Sequence, residues 1–256
     1  MSSLLSSVRG LSVRATRGPA AQGCPAAAWR APAPRAGRAR RAAPPAAADS
    51  EGASTSGSAV VYEGVYGPWQ VEREDEIEVL CYRLGLSGAA IGLAGGAAAG
   101  LAGADGLLDP LCALGITGLG ASVFLIHVYV DPLKRFLQVM WASGALGAAY
   151  LAFEQCGGQP VARYVAEHPW GVWLVGPYFA ALTGIAVKEG LCYGKAEAAG
   201  VALLLPLLLL GHLSGLLPPA ALRVLLVASA GAVGVFAGRK YTQAVKDDIG
   251  DKSIFE

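Results

Sequence analysis

Charged residues make up only 15% of this 256-residue chain, and histidine occurs three times and methionine twice, against 54% hydrophobic residues and a mean hydropathy of +0.47. A soluble domain usually carries charge on about a quarter of its residues, so water is not the main surroundings here. Acid is absent altogether from Met1–Ala48, a stretch with eight arginines. The remainder is therefore acidic, with 12 Lys+Arg against 19 Asp+Glu, and the overall charge of +1 hides two unlike regions. Nucleic-acid binding is not expected, because the arginine-dense stretch sits where a removable presequence accounts for it. The five cysteines form no CxxC, heme or zinc spacing. No nucleophile stands beside a base and an orienting group, so neither a catalytic residue nor a cofactor or metal is expected.

The acid-free segment, rich in Ala, Arg and Ser, has the composition of an organelle transit peptide. A secretory signal needs an unbroken apolar run of about 7 to 15 residues, and Leu4–Val13 is interrupted by Ser6, Ser7, Arg9 and Gly10. Composition alone leaves plastid and mitochondrion open. We assign 1–48 as a transit peptide, a chloroplast transit peptide on the strength of the family resemblance given below, and 49–58 (DSEGASTSGS) as a linker, with cleavage between Arg41 and Ser58. Residues 59–83 form a short stromal head. In it Tyr62, Tyr66 and Trp69, spaced by Gly64, Gly67 and Pro68, fit either a turn-rich unit docked on the bundle or at the membrane interface, or a loose linker. The acids from Glu72 to Glu78 suit the start of a helix.

Runs of about 20 nearly uncharged residues then recur, each long enough at 1.5 Å per residue to cross a hydrocarbon core of about 30 Å. Six are expected, over Leu84–Ala104, Leu111–Val130, Phe136–Phe153, Trp170–Val187, Ala196–Leu217 and Pro219–Gly238. The expected fold is an all-α, polytopic membrane helix bundle of six transmembrane helices over 84–238, with a stromal tail at 239–256. A soluble helical core would need a charged stripe on each helix, and these runs have none. With six spans, Arg73, Arg83, Lys134, Arg135, Lys188, Lys195, Arg239, Lys240, Lys246 and Lys252 fall on one side and only Arg163 and Arg223 on the other. Basic residues mark the side of insertion, which in a plastid is the stroma, so both termini are expected there.

Gly88, Gly92, Gly96 and Gly100 recur every four residues along the first span, a smooth face on which another backbone can pack closely. Intramolecular helix packing is the first use of such a face, and a homo-oligomer contact the second. Gly234 and Gly238 repeat the pattern in the last span. Pro177 and Pro206 interrupt two spans, as kinks or as the broken helices of a transporter. Polar chemistry gathers at the stromal ends. His127 and Asp131 share a face if the second span is helical to its end, and with Lys188 and Glu189 they make the one candidate functional cluster. Helix-end pairs and snorkelling side chains explain the same residues. His212, near the opposite surface, is a weaker candidate for a pigment metal. Cys112 and Cys156 share a side and allow a disulfide, although buried thiols account for them as well.

Four segments, YEGVYGPW (Tyr62–Trp69), EVLCYRLG (Glu78–Gly85), HVYVDPL (His127–Leu133) and KEGLCYGKAE (Lys188–Glu197), together resemble an uncharacterised integral-membrane domain family of cyanobacteria and plastids. The resemblance covers Val61–Leu217 and implies no activity. It implies a photosynthetic lineage and a plastid membrane, the thylakoid ahead of the inner envelope. Two function classes follow. One is a non-catalytic factor that assembles or stabilises a photosynthetic membrane complex, with the lipid bilayer and subunits of that complex as partners; the other is a small-solute or ion transporter. A membrane enzyme using His127 and Asp131 as acid and base is a third and poorer fit.

Overall fold

A computed structural model describes the backbone of residues 60–193 and 195–254, and the side chains of all these except 191–193. The transit-peptide and linker assignments at 1–48 and 49–58, with Cys24, lie outside the described residues. A two-stranded antiparallel hairpin comes first, β1 Val61–Glu63 and β2 Pro68–Gln70, with Tyr62 opposite Trp69. Helices follow: α1 Arg73–Ala102, α2 Leu108–Leu125, α3 Asp131–Tyr150, the short α4 Val161–Glu167, α5 Val172–Tyr193, α6 Ala196–Ser214, α7 Pro219–Arg239 and the short α8 Val245–Ile249. Six of them, all but α4 and α8, are long and apolar enough to cross a membrane.

Helix limits differ from the sequence expectation where local chemistry decides them. α1 starts eleven residues before the expected first span, because the Glu72 N–H donates to the Asp75 carboxylate and acids occupy its first turn. Its 30 residues rise about 45 Å, so the charged first turns stand beyond the apolar part. Half of the expected head, 73–83, is thus helix. Gly103, at φ 72°, closes α1 in the left-handed conformation that glycine adopts without strain. α2 ends at Leu125 rather than Val130. Pro132 lies in the first turn of α3, where no amide donor is required, and residues 126–130 connect the two helices without being helical. Pro177 and Pro206 both sit inside continuous helices.

The spanning helices pack as a closed ring: α1 on α2, α2 on α3, α3 on α5, α5 on α6, α6 on α7 and α7 back on α1. One half of the ring is filled. Leu86, Leu119, Leu182, Ile185, Leu205 and Phe236 are each at most 1% exposed and form a single apolar layer toward the end that holds the described termini. Outward-facing side chains are large and apolar, as Leu146, Leu203 and Val224 illustrate, which suits hydrocarbon surroundings. At the filled end the hairpin docks through Trp69, which packs with Val79 and Ile249. The chain between α8 and Ile254 ties it down: the Val65 N–H donates to Asp251, the Tyr66 N–H to the Ser253 hydroxyl, and Lys252 to Asp75. The Ser253 hydroxyl, which donates to Asp251 Oδ1 at 2.6 Å, and the Val65 N–H hold the Asp251 carboxyl below its ordinary value. Of the readings open for the aromatic head, the structure shows the docked unit.

Candidate functional site

Beneath the hairpin lies a cluster of interlocked charges. Arg83 of α1 donates from Nε to Asp248 of α8 at 2.7 Å, and from Nη2 to the Gln243 and Ala244 carbonyls at 3.1 and 3.3 Å. Lys240, just past α7, reaches the other Asp248 oxygen at 2.6 Å and Oε2 of Glu189 on α5 at 2.7 Å. Lys195, which precedes α6, donates to the same Glu189 oxygen and to Gln243 Oε1, each at 2.7 Å, and Lys188 lies 3.2 Å from Glu189 Oε1. The side chains of Glu189 and Lys240 are fully buried, and that of Asp248 is 2% exposed.

Four cations thus surround two carboxylates where water cannot compensate a broken pair. The lattice joins α1, α5, α6, α7 and α8, and every carboxylate oxygen in it is taken by a cation. That leaves neither Glu189 nor Asp248 with the open oxygen a general base or metal ligand needs. Among the described residues no group of three His, Cys, Asp or Glu is placed to hold a metal ion.

Of the four residues of the sequence-derived cluster, Lys188 and Glu189 pair and His127 lies within electrostatic reach of Lys188, whereas the His127–Asp131 pairing is not seen. Glu189 and Lys188 belong to the charge lattice. His127 lies on the non-helical connection, its Nε2 3.3 Å from the Glu78 carboxylate of α1, and not on a helical face shared with Asp131. The expected His127–Asp131 pairing is corrected by the early end of α2, which puts Asp131 in the first turn of another helix, exposed and beside the favourable N-terminal dipole. Burial lowers the His127 pKa, while Glu78 and Asp75 act in the opposite sense. Lys188 is near enough to add to the lowering. Sequence reasoning treats Arg83, Lys240 and Asp248 as topology markers or tail residues. The signal that could have found them is an arginine three turns inside a helix and a lysine ending a long apolar run, both costly places for unpaired charge.

The glycine stripe divides into two halves. A Cβ on Gly92 would meet the Leu111 carbonyl at 2.6 Å and Gly115 Cα at 2.7 Å, and one on Gly88 would touch Gly118 Cα at 3.5 Å. Around Gly96 there is nothing within 4 Å, and at Gly100 only Leu108 at 3.8 Å. Gly234 and Gly238 also face open space. Other close approaches are hidden in the sequence: Gly85 meets Gly118 of α2, and Gly144 and Gly147 of α3 lie against Tyr178 and Leu174 of α5.

In the other half of the ring, beside a smaller core cluster of Ala148, Leu151, Cys156, Val161 and Tyr164, lies a cavity of about 1090 Å³, larger than the 300 to 1,000 Å³ usual for small-molecule pockets. Gly92, Gly96 and Gly115 line its inner part, and Arg163, His212 and Arg223 its outer part. His212 Nε2 donates to the Val165 carbonyl at 2.9 Å, so that nitrogen is occupied and not aimed at a metal. Cys112, Cys156 and Cys81 are free thiols.

A family model described as an uncharacterized integral membrane protein, DUF2301, matches residues 121–256. The chain belongs to this family. No curated protein and no solved structure matches it. The DUF2301 match takes in Glu189, Lys240 and Asp248 of the charge lattice and Tyr178 and Arg223 of the cavity, and leaves Arg83 and the glycines of α1 outside. It extends beyond the Leu217 limit of the sequence resemblance to the C-terminal strap, and does not include the first two of the four segments. As an integral membrane protein of this family, the chain has the lipid bilayer as its surroundings.

Proposed function

We propose that this DUF2301 protein is a non-catalytic component of a plastid membrane, the thylakoid in first place, that helps assemble or stabilise a photosynthetic membrane complex. The observation that carries the reading is the closed charge lattice: the ionisable groups best placed for chemistry are spent on holding five helices together. The acid-free arginine-rich segment 1–48 supports plastid import, and the excess of Lys and Arg at the end with the hairpin supports a stromal position for that end. Copurification from native membranes in mild detergent tests it. Comigration with photosystem subunits is the expected result.

One observation favours a second reading, the transporter. The cavity belongs to one half of the ring, as an access vestibule would. Passage to the other end would require parting the apolar layer and breaking buried ion pairs together, and among the described residues the cavity wall carries no buried carboxylate for ion coupling. A protein that runs alone in the copurification and drives substrate-dependent uptake in liposomes would overturn the assembly reading in favour of this one.

A further inference from the structure

The cavity spans one leaflet. From Gly103 at the end of α1 to Gly92, its lining descends eleven residues, about 16 Å of helix rise, against about 15 Å for half a hydrocarbon core. Its wall is mostly glycine and aliphatic side chains; besides Cys112 and His212, whose Nε2 is taken by the Val165 carbonyl, it has two polar features. One is Tyr178, 8% exposed, whose hydroxyl lies against Gly115 at the inner end of the cavity.

The second feature is basic. Among the described residues, Arg163 and Arg223 are the only Lys or Arg at the ring end away from the hairpin, where topology requires none, and both line this cavity. Arg163 is neutralised by Asp105. Arg223, five residues into α7, is exposed and pairs with no carboxylate among the described residues. Its guanidinium is at headgroup level and suits a phosphate or sulfonate bidentately.

We propose that this cavity binds one anionic glycerolipid from the leaflet away from the hairpin, its charged head on Arg223 and its hydrocarbon along the Gly96 wall toward Gly92 and Gly115. An uncharged isoprenoid or pigment would leave the unpaired arginine without a purpose. This goes beyond the assembly reading and does not depend on it, because binding is a property of the isolated chain.

The full chain is reconstituted in phosphatidylcholine vesicles containing a minority of phosphatidylglycerol, re-extracted in mild detergent, and its retained lipid counted by mass spectrometry. The expected result is about one phosphatidylglycerol per chain, enriched over its share of the vesicle. Arg223→Gln lowers that retention by about tenfold or more, as loss of a charge-assisted contact implies, whereas Arg223→Lys keeps most of it. Gly96→Leu intrudes on the acyl-chain wall and lowers retention; because a Cβ there meets nothing within 4 Å, an unchanged melting temperature shows that the bundle is intact. Retention in proportion to vesicle composition, or enrichment that Arg223→Gln leaves unchanged, overturns the proposal.

Discussion

The two ends of the helix ring solve the same problem in opposite ways. At the hairpin end, charges that ought to be costly in a membrane protein are buried in a lattice that satisfies them from five helices, above a packed apolar layer. At the other end charge is scarce, glycine replaces side chains, and space remains. Close pairing of opposite charges in a low dielectric is rigid because any single loss strands a partner. Glycine has no such fixed meaning: it permits the tightest approach at Gly92 and leaves the emptiest wall at Gly96, one helical turn away.

The largest effect is expected from breaking the charged end. Asp248→Ala leaves the buried Arg83 without a carboxylate and takes from Lys240 one of its two, and should destabilise the fold by about 3 to 5 kcal/mol, seen as a lowered midpoint of thermal unfolding in detergent. Replacing Lys240 and Asp248 together by Met and Leu should recover part of that loss, since no charge is then left alone in that pair. A single variant as stable as the parent would show that the lattice does not hold the helices.

A middle-sized effect separates the two uses of glycine. Gly92→Leu drives a side chain into the backbone of α2 and should cost about 1 to 3 kcal/mol. Gly96→Leu enters open space and should stay within about 1 kcal/mol of the parent in the same melting assay. Equal losses at both positions would mean that the cavity end is as tightly packed as the rest.

Much of this architecture is legible in the amino-acid sequence. Six uncharged runs and the one-sided distribution of Lys and Arg set the number of spans, because hydrocarbon imposes a length and a cost of charge that composition reports directly. Helix ends are less legible: the Glu72–Asp75 capping interaction and Pro132 decide α1, α2 and α3, and such local chemistry shifts a boundary by a turn or more without altering hydropathy. The charge lattice is illegible as a unit, since Arg83 and Asp248 are 165 residues apart and meet only when the ring closes α7 on α1. The glycine repeat shows where backbones can approach, not which residues do, because that depends on how α1 is rotated against α2.

The smallest expected effect lies at the hairpin end but outside the lattice, at His127. The groups that act on it are Glu78 and Asp75 of α1, Lys134 of α3 and Lys188 of α5, and burial outweighs the two acids, so the folded pKa is lower than the ordinary 6.5. Well above pH 6.5 the imidazole is neutral in folded and unfolded chains alike and contributes no pH dependence. As pH falls below 6.5 the unfolded chain takes up the proton first, and stability declines until the folded pKa is passed, after which the deficit is constant. His127→Gln should therefore flatten the fall in melting temperature below pH 6.5. Glu78→Gln removes the carboxylate 3.3 Å away that favours the imidazolium, lowers the folded pKa further and should deepen the decline. If His127→Gln leaves the acid slope of the parent unchanged, that slope arises from other groups, and His127 has no part in any pH response of this end.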